Sequence, residues 1–115
     1  MQFTFSQEQE AFRQRIKLFI DETIKPVYDN APHDGAEEYD RWHLTSVKNL
    51  GRKIADAGWL GLGWPKEYGG HPATWLEQLI FKEEMGYYEN WGLNRQGVNM
   101  CGPVILGSGT EEQKR

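Results

Sequence analysis

Between Ala57 and Gly70 the chain reads Ala-Gly-Trp-Leu-Gly-Leu-Gly-Trp-Pro-Lys-Glu-Tyr-Gly-Gly, with five glycines, one proline and two tryptophans. No regular helix or strand tolerates that density of glycine, because each one raises the entropy lost on ordering. The stretch is a loop whose backbone visits positive φ while its two indoles anchor it to a core. A phosphate-cradling role fails on spacing: Gly58, Gly61 and Gly63 match neither G-x-G-x-x-G nor G-x-x-x-x-G-K-[ST], and no strand precedes them.

On either side of this loop the apolar residues recur at helical intervals. Phe5, Phe12, Ile16, Phe19, Ile20, Ile24 and Val27 fall in steps of three, four and seven, which predicts one amphipathic helix from Phe5 to about Asp29. Ser6 and Gln9 have capping-box spacing, and Pro26 kinks or ends the helix. Asn30 to Tyr39 is polar, contains Pro and Gly, and reads as a connecting loop. A second helix is expected with Thr45 or Ser46 as its cap, Val47, Leu50, Ile54 and Ala57 as its apolar face, and Gly58 as its left-handed stop. The third starts at Thr74, with Glu77 completing a capping box and Leu76, Leu79, Ile80 and Tyr87 turned toward the core. Leu93 to Leu106 is the fourth, with Val98, Cys101 and Ile105 on one side and a kink at Pro103. Thr110-Glu111-Glu112-Gln113 opens another helix with a third capping box. No segment alternates with period two, so the fold class is all-α, an antiparallel helical bundle.

At 115 residues the chain holds one domain with a modest core. Thirteen basic residues against seventeen acidic ones give a formal charge of -4 with no basic stripe, which excludes nucleic acid as a partner. A single cysteine, Cys101, cannot form a disulfide within the chain and fits a reducing compartment. The first ten residues lack a basic-then-apolar leader, and no run approaches a membrane span, so a cytoplasmic location is expected.

Catalytic chemistry is hard to find in the side chains themselves. His33, His43 and His71 are 10 and 28 residues apart, which is not metal-site spacing, so no metal ligands are assigned. Glu83 and Glu84 point about 100° apart on a helix and cannot flank one reacting atom; they read as one solvated residue and one local salt-bridge partner. Ser108 sits in linker-like Gly-Ser-Gly-Thr. The odd segment is Leu93 to Leu106, where Asn94, Arg95, Gln96 and Asn99 interrupt the apolar stripe. Gly97 and Gly102 there cost about 1 kcal/mol each relative to alanine. Close packing or a ligand cavity would account for them, and so would a half-exposed helix.

Four stretches together resemble the amino-terminal domain of the acyl-CoA dehydrogenases. They are Phe5-Ser-Gln-Glu-Gln-Glu-Ala-Phe-Arg13; Ile54-Ala-Asp-Ala-Gly-Trp-Leu-Gly61 running on to Trp64-Pro-Lys-Glu-Tyr-Gly-Gly70; Glu83-Glu84-Met-Gly86; and Gly102-Pro-Val-Ile-Leu-Gly-Ser-Gly-Thr-Glu-Glu-Gln-Lys-Arg115. The extended Trp-Pro-Lys-Glu-Tyr-Gly-Gly form is most similar to bacterial members. The resemblance implies a subunit of three domains, helical, β-sheet and helical, with FAD held between the last two and a neighbouring subunit. It implies a glutamate in the carboxy-terminal domain that removes the α-proton of an acyl-CoA thioester while hydride leaves the β-carbon for the flavin. It also implies a tetramer and an electron-transferring flavoprotein as acceptor.

On that resemblance the domain supplies one wall of the acyl pocket from the helix before Gly102-Pro103, around Arg95, Val98 and Asn99. Polar residues facing that pocket imply an acyl group that carries polar functionality or a ring, since a guanidinium against methylenes is costly. No catalytic or cofactor-binding residue is expected in this chain, which alone would be inactive. The sequence stops where the middle domain would follow, so it reads as a piece of a dehydrogenase, or else as a stand-alone helical remnant. A helical interaction module using Trp42 or Trp91 is the rival reading.

Overall fold

The computed structural model describes residues 4–32, 35–88, 92–93 and 96–115. Helix α1 (Gln7–Phe19) starts at Ser6, whose hydroxyl accepts from the Gln9 amide at 3.2 Å while the Gln9 carboxamide accepts from the Ser6 amide at 2.9 Å. It does not stop at Phe19. The chain passes through a π-helical turn, Ile20–Ile24, and continues as α2 (Lys25–Asp29).

The π turn answers two demands at once. Proline cannot donate, and its ring crowds the carbonyl four residues back. Widening the turn before Pro26 to the i→i+5 register, with the Lys25 amide donating to the Ile20 carbonyl, lets the helix run on past it. The second demand concerns the core face. Phe12, Ile16, Ile20 and Ile24 are all buried, and each step of four in an α-helix advances the side chain about 40° too far. Extra residues in a π turn rotate the later ones back, which returns Ile24 to the buried side.

Helix α3 (Ala36–Asp56) corrects the sequence reading at its start. Asn30 to Tyr39 is not wholly a loop: the helix opens at Ala36 behind Gly35 (φ 90°), with Glu37 and Glu38 in its first turn, where negative charge favours helix. Tyr39 stacks on His43 one turn later, with ring centres 5.6 Å apart. Thr45 therefore lies mid-helix, and its hydroxyl donates to the Arg41 carbonyl at 3.1 Å instead of capping anything. The far end is as expected. Gly58 adopts φ 83°, the Gly58 amide donates to Ala55 and the Trp59 amide to Ile54, each at 3.0 Å, which is a Schellman closure.

That closure throws Trp59 onto the core. Its ring meets Phe12 edge-on at 5.6 Å, lies 6.0 Å from Phe19, and stacks on Phe81 at 5.9 Å and 11°. The glycine loop then folds on itself: the Gly63 amide donates to His71 at 2.8 Å, His71 to Gly61 at 3.1 Å, and Gly70 to Pro65 at 3.1 Å. One short 3-10 turn, Lys66–Tyr68, lies within it. Among the described residues the sole extended pairing is an isolated bridge between Leu62 and His71.

Helix α4 (Trp75–Gly86) has the expected box, with Thr74 Oγ1 accepting from the Glu77 amide and the Glu77 carboxylate from the Thr74 amide. Its buried face differs from the predicted one. Ile80, Phe81 and Met85 are buried, whereas Leu79 is exposed and Tyr87 is 76% exposed. Apolar residues occur all round the first half of α4, so periodicity alone does not choose a face; contact with α1 and with the Trp59 ring does.

The fourth helical segment begins at Gln96, makes a second π turn at Gly97–Cys101, and continues as α5 (Gly102–Ser108). Pro103 follows this π turn at the same distance as Pro26 follows the first, with the same consequence: the helix carries on. The expected apolar stripe is not a core face, since Val98 is half-buried while Cys101 and Ile105 are exposed. Asn94 lies outside the described residues. Helix α6 (Glu111–Lys114) has the predicted Thr110–Gln113 box. The result is an all-α fold whose core is drawn from α1 and its π turn, α3 and α4.

Candidate functional site

The described residues form a half-open cavity of about 420 Å³. It lies where three sequence-distant elements meet: the glycine loop, the middle of α4, and the helix containing the second π turn. From the loop come Trp59, Leu62 and Trp64; from α4 come Gln78, Phe81 and Lys82; from the last helix come Val98, Asn99 and Pro103.

Local chemistry explains why each group faces the hollow. Gln78, Phe81 and Lys82 are spaced i, i+3, i+4 and so share a helical face. Trp59 is pinned by its ring contacts with Phe12, Phe19 and Phe81. Trp64 is pinned by glycines. A methyl group on Gly102 would overlap the end of its indole, and one on Gly70 would overlap the Trp64 backbone. Glycine at 102, costly to a helix, is what lets the loop approach it.

The walls are about evenly polar and apolar, with two carboxamides and one ammonium among them. Gln78 Nε2 reaches the Ala73 carbonyl at 3.4 Å, which leaves its oxygen available. Among the described residues, no other side chain takes the Asn99 carboxamide or the Lys82 ammonium. A cleft that combines apolar surface with a few polar groups can bind and orient a small organic molecule. Among the described residues its lining contains no nucleophile–base pair. Six of the loop's amides, those of Gly63, Trp64, Tyr68, Gly69, Gly70 and His71, donate to carbonyls within the loop itself.

Of the three residues expected to line a pocket, Val98 and Asn99 both border this cavity. Arg95 lies outside the described residues. Sequence reasoning missed the α4 contribution; the signal was Gln78, a polar residue among apolar neighbours at the spacing that shares a face with Phe81. Trp42 is half-buried and packs against the core, so it is no exposed docking aromatic, and Trp91 and His33 lie outside the described residues. Among the described residues no three His, Cys, Asp or Glu side chains converge.

Glu83 is exposed and Glu84 is an ion-pair partner, as expected, but the pairing is not local. Arg13 of α1 donates Nη2 to Glu83 Oε2 at 3.0 Å and Nη1 to Glu84 Oε1, so one guanidinium some seventy residues away in sequence holds both acids, Glu84 largely out of water and Glu83 still half in it. Adjacent carboxylates cannot meet on one atom, but the forked guanidinium spans them. Burial alone would lower the Arg13 pKa, but the hydrogen bonds to Glu84 and Glu83 outweigh it and raise it. The guanidinium also lies over the Phe5 ring at 4.9 Å. This clamp fixes α4, and with it one cavity wall, against α1.

Comparison with known proteins agrees with this architecture. The sequence matches the family described as acyl-CoA dehydrogenase, N-terminal domain, over residues 6–115. It is 31% identical to the acyl-CoA dehydrogenase FadE26 of Mycobacterium tuberculosis, over 100% of this chain and 28% of that one. It is 32% identical to the acryloyl-CoA reductase (NADH) of Anaerotignum propionicum, over 99% of this chain and 27% of that protein. The crystal structure of the ChsE4–ChsE5 complex from M. tuberculosis superposes with a TM-score of 0.76 at 29% identity, covering 100% of this chain and 27% of that one. The chain thus spans roughly a quarter of the length of its relatives. By sequence and by fold it belongs to the acyl-CoA dehydrogenase family, as the helical N-terminal domain.

Proposed function

We propose that this domain forms one wall of the acyl pocket in an FAD-dependent dehydrogenase that introduces an α,β double bond into an acyl-CoA thioester. The supporting observation is the 420 Å³ cavity bordered by Val98 and Asn99 on a helix loosened by a π turn. Arg95, three residues before Val98, belongs to the same proposed wall.

In this reading flavin and the proton-abstracting glutamate belong to the β and carboxy-terminal helical domains of the parent, and the 115 residues alone are inactive. Acceptance of electrons by an electron-transferring flavoprotein, a tetrameric assembly and a cytoplasmic location complete the reading. Among the described residues no helix is long and apolar enough to cross a membrane. Apolar side chains left in water, such as Leu44 at 73% exposed and Trp75 at 72%, favour packing against the parent's other domains.

The test is Val98→Trp in the full-length enzyme. A bulkier wall should cut kcat/KM for the longest acyl thioesters at least 10-fold relative to the shortest, with flavin content unchanged. Equal effects on all chain lengths would remove Val98 from the pocket.

A further inference from the structure

Resting on that pocket reading, we propose that the acyl group carries a ring bearing an oxygen substituent, held by Asn99, Gln78 and Lys82 between the Trp59 and Trp64 walls. Three observations point there. The indole walls are rigid: Trp59 is held on three sides by Phe12, Phe19 and Phe81, and Trp64 is wedged against Gly102. A flat, preorganised wall favours a flat or cyclic group, which loses few rotamers on binding, over an alkyl chain that must freeze many.

The second observation is the polar set. An alkyl chain laid against half-buried Gln78 would strip its water and return no hydrogen bond, whereas a polar substituent could also reach the exposed Asn99 and Lys82. Here Lys82 and the Asn99 amide can donate, while the Gln78 and Asn99 oxygens can accept. A ketone or hydroxyl on the ring meets both kinds of group. Third, these residues come from facing elements, α4 and the π turn, so they converge across the hollow and do not line up along one helix.

Discrimination should therefore be large in one direction. A site built to hydrogen-bond a substituent rejects the analogue without it far more strongly than an apolar pocket rejects an extra methylene. The experiment uses the full-length holoenzyme and three CoA thioesters: a keto-substituted cyclohexylpropanoate, its unsubstituted counterpart, and octanoate. The expected order of kcat/KM is keto-ring above plain ring above octanoyl. Asn99→Leu should lower the ratio of keto-ring to octanoyl kcat/KM roughly 10- to 100-fold, with Asn99→Gln restoring part of it. Lys82→Met, at an exposed site, should move the preference in the same direction. Calorimetric Kd values for non-reacting thioether analogues should follow the same order.

Octanoyl-CoA as the best substrate, or an equal loss on all three thioesters in Asn99→Leu, would overturn the ring-and-oxygen assignment while leaving acyl-CoA dehydrogenation standing. Failure of every thioester to reduce the flavin would instead overturn the dehydrogenase reading itself, and this assignment with it.

Discussion

Arg13 shows how much one side chain can organise. Only 15% exposed, with Glu84 at 19% and Glu83 at 51%, it joins two helices that share no local sequence relationship. Replacing it leaves two adjacent carboxylates repelling each other, one of them largely out of water. Arg13→Met should therefore destabilise by about 1–3 kcal/mol. A double-mutant cycle with Glu84→Gln, read by urea unfolding, should give coupling well above that of an exposed pair, and additivity of the two changes would contradict the clamp.

Tyr68 and Glu111 form a second long-range pair, with the hydroxyl donating to the carboxylate at 2.6 Å and Lys114 over the ring at 5.7 Å. The hydrogen bond holds the Glu111 pKa below its ordinary value and raises that of Tyr68. A depressed acid contributes stability above its unfolded pKa and loses it as pH falls through the folded value. A raised phenol contributes below its unfolded pKa and loses it as pH rises through the folded value. The contact between the glycine loop and α6 should thus persist from below the ordinary carboxylate range to above the ordinary phenol range. NMR titration of Tyr68 against Tyr68→Phe would show it, and a Glu111 titrating at the ordinary carboxylate value would rule it out.

Among the elements, the helix starts divide into those written in side chains and those written in context. Ser6, Thr74 and Thr110 all cap as their spacing to Gln9, Glu77 and Gln113 predicts, because a capping box is complete within four residues. Thr45 had no such partner and proved to be mid-helix. Thr74→Ala should cost about 0.5–2 kcal/mol, whereas Thr45→Ala should stay within about 0.5 kcal/mol. Thermal unfolding of the two variants side by side decides this, and equal losses would contradict the assigned ends. Both prolines marked a disturbance, but the helices answered with π turns and went on. A proline's needs are local, while the choice between stopping and widening depends on whether residues beyond it, such as Val27 and Tyr28 after Pro26, have something to pack against.

As a whole the molecule is broad and flat, 42 × 42 × 24 Å, with a radius of gyration of 16.0 Å. A compact domain of this length would have about 13 Å. The spread shape and the water-exposed Leu44, Trp75, Tyr87 and Met100 suit a domain that rests on other protein. The isolated 115 residues should be helical by far-UV circular dichroism and purify colourless, without flavin. A yellow monomer that retains FAD would refute the assignment of the flavin site to the parent's other domains.

The sequence alone carried what is local or repeated: three capping boxes, the Gly58 stop, the positive-φ glycine loop, the all-α class and the family. Each depends on residues a few positions apart, or on motifs in order along the chain. Tertiary structure decided the rest. The buried face of α4, the Arg13 clamp on Glu83 and Glu84, the use of Gly102 as a seat for Trp64, and the meeting of Gln78 and Lys82 with Asn99 across one cavity all join segments far apart in the chain. Periodicity says that a helix has an apolar side. Which side wins, and which polar groups come to face each other, depends on the neighbour against which it is packed.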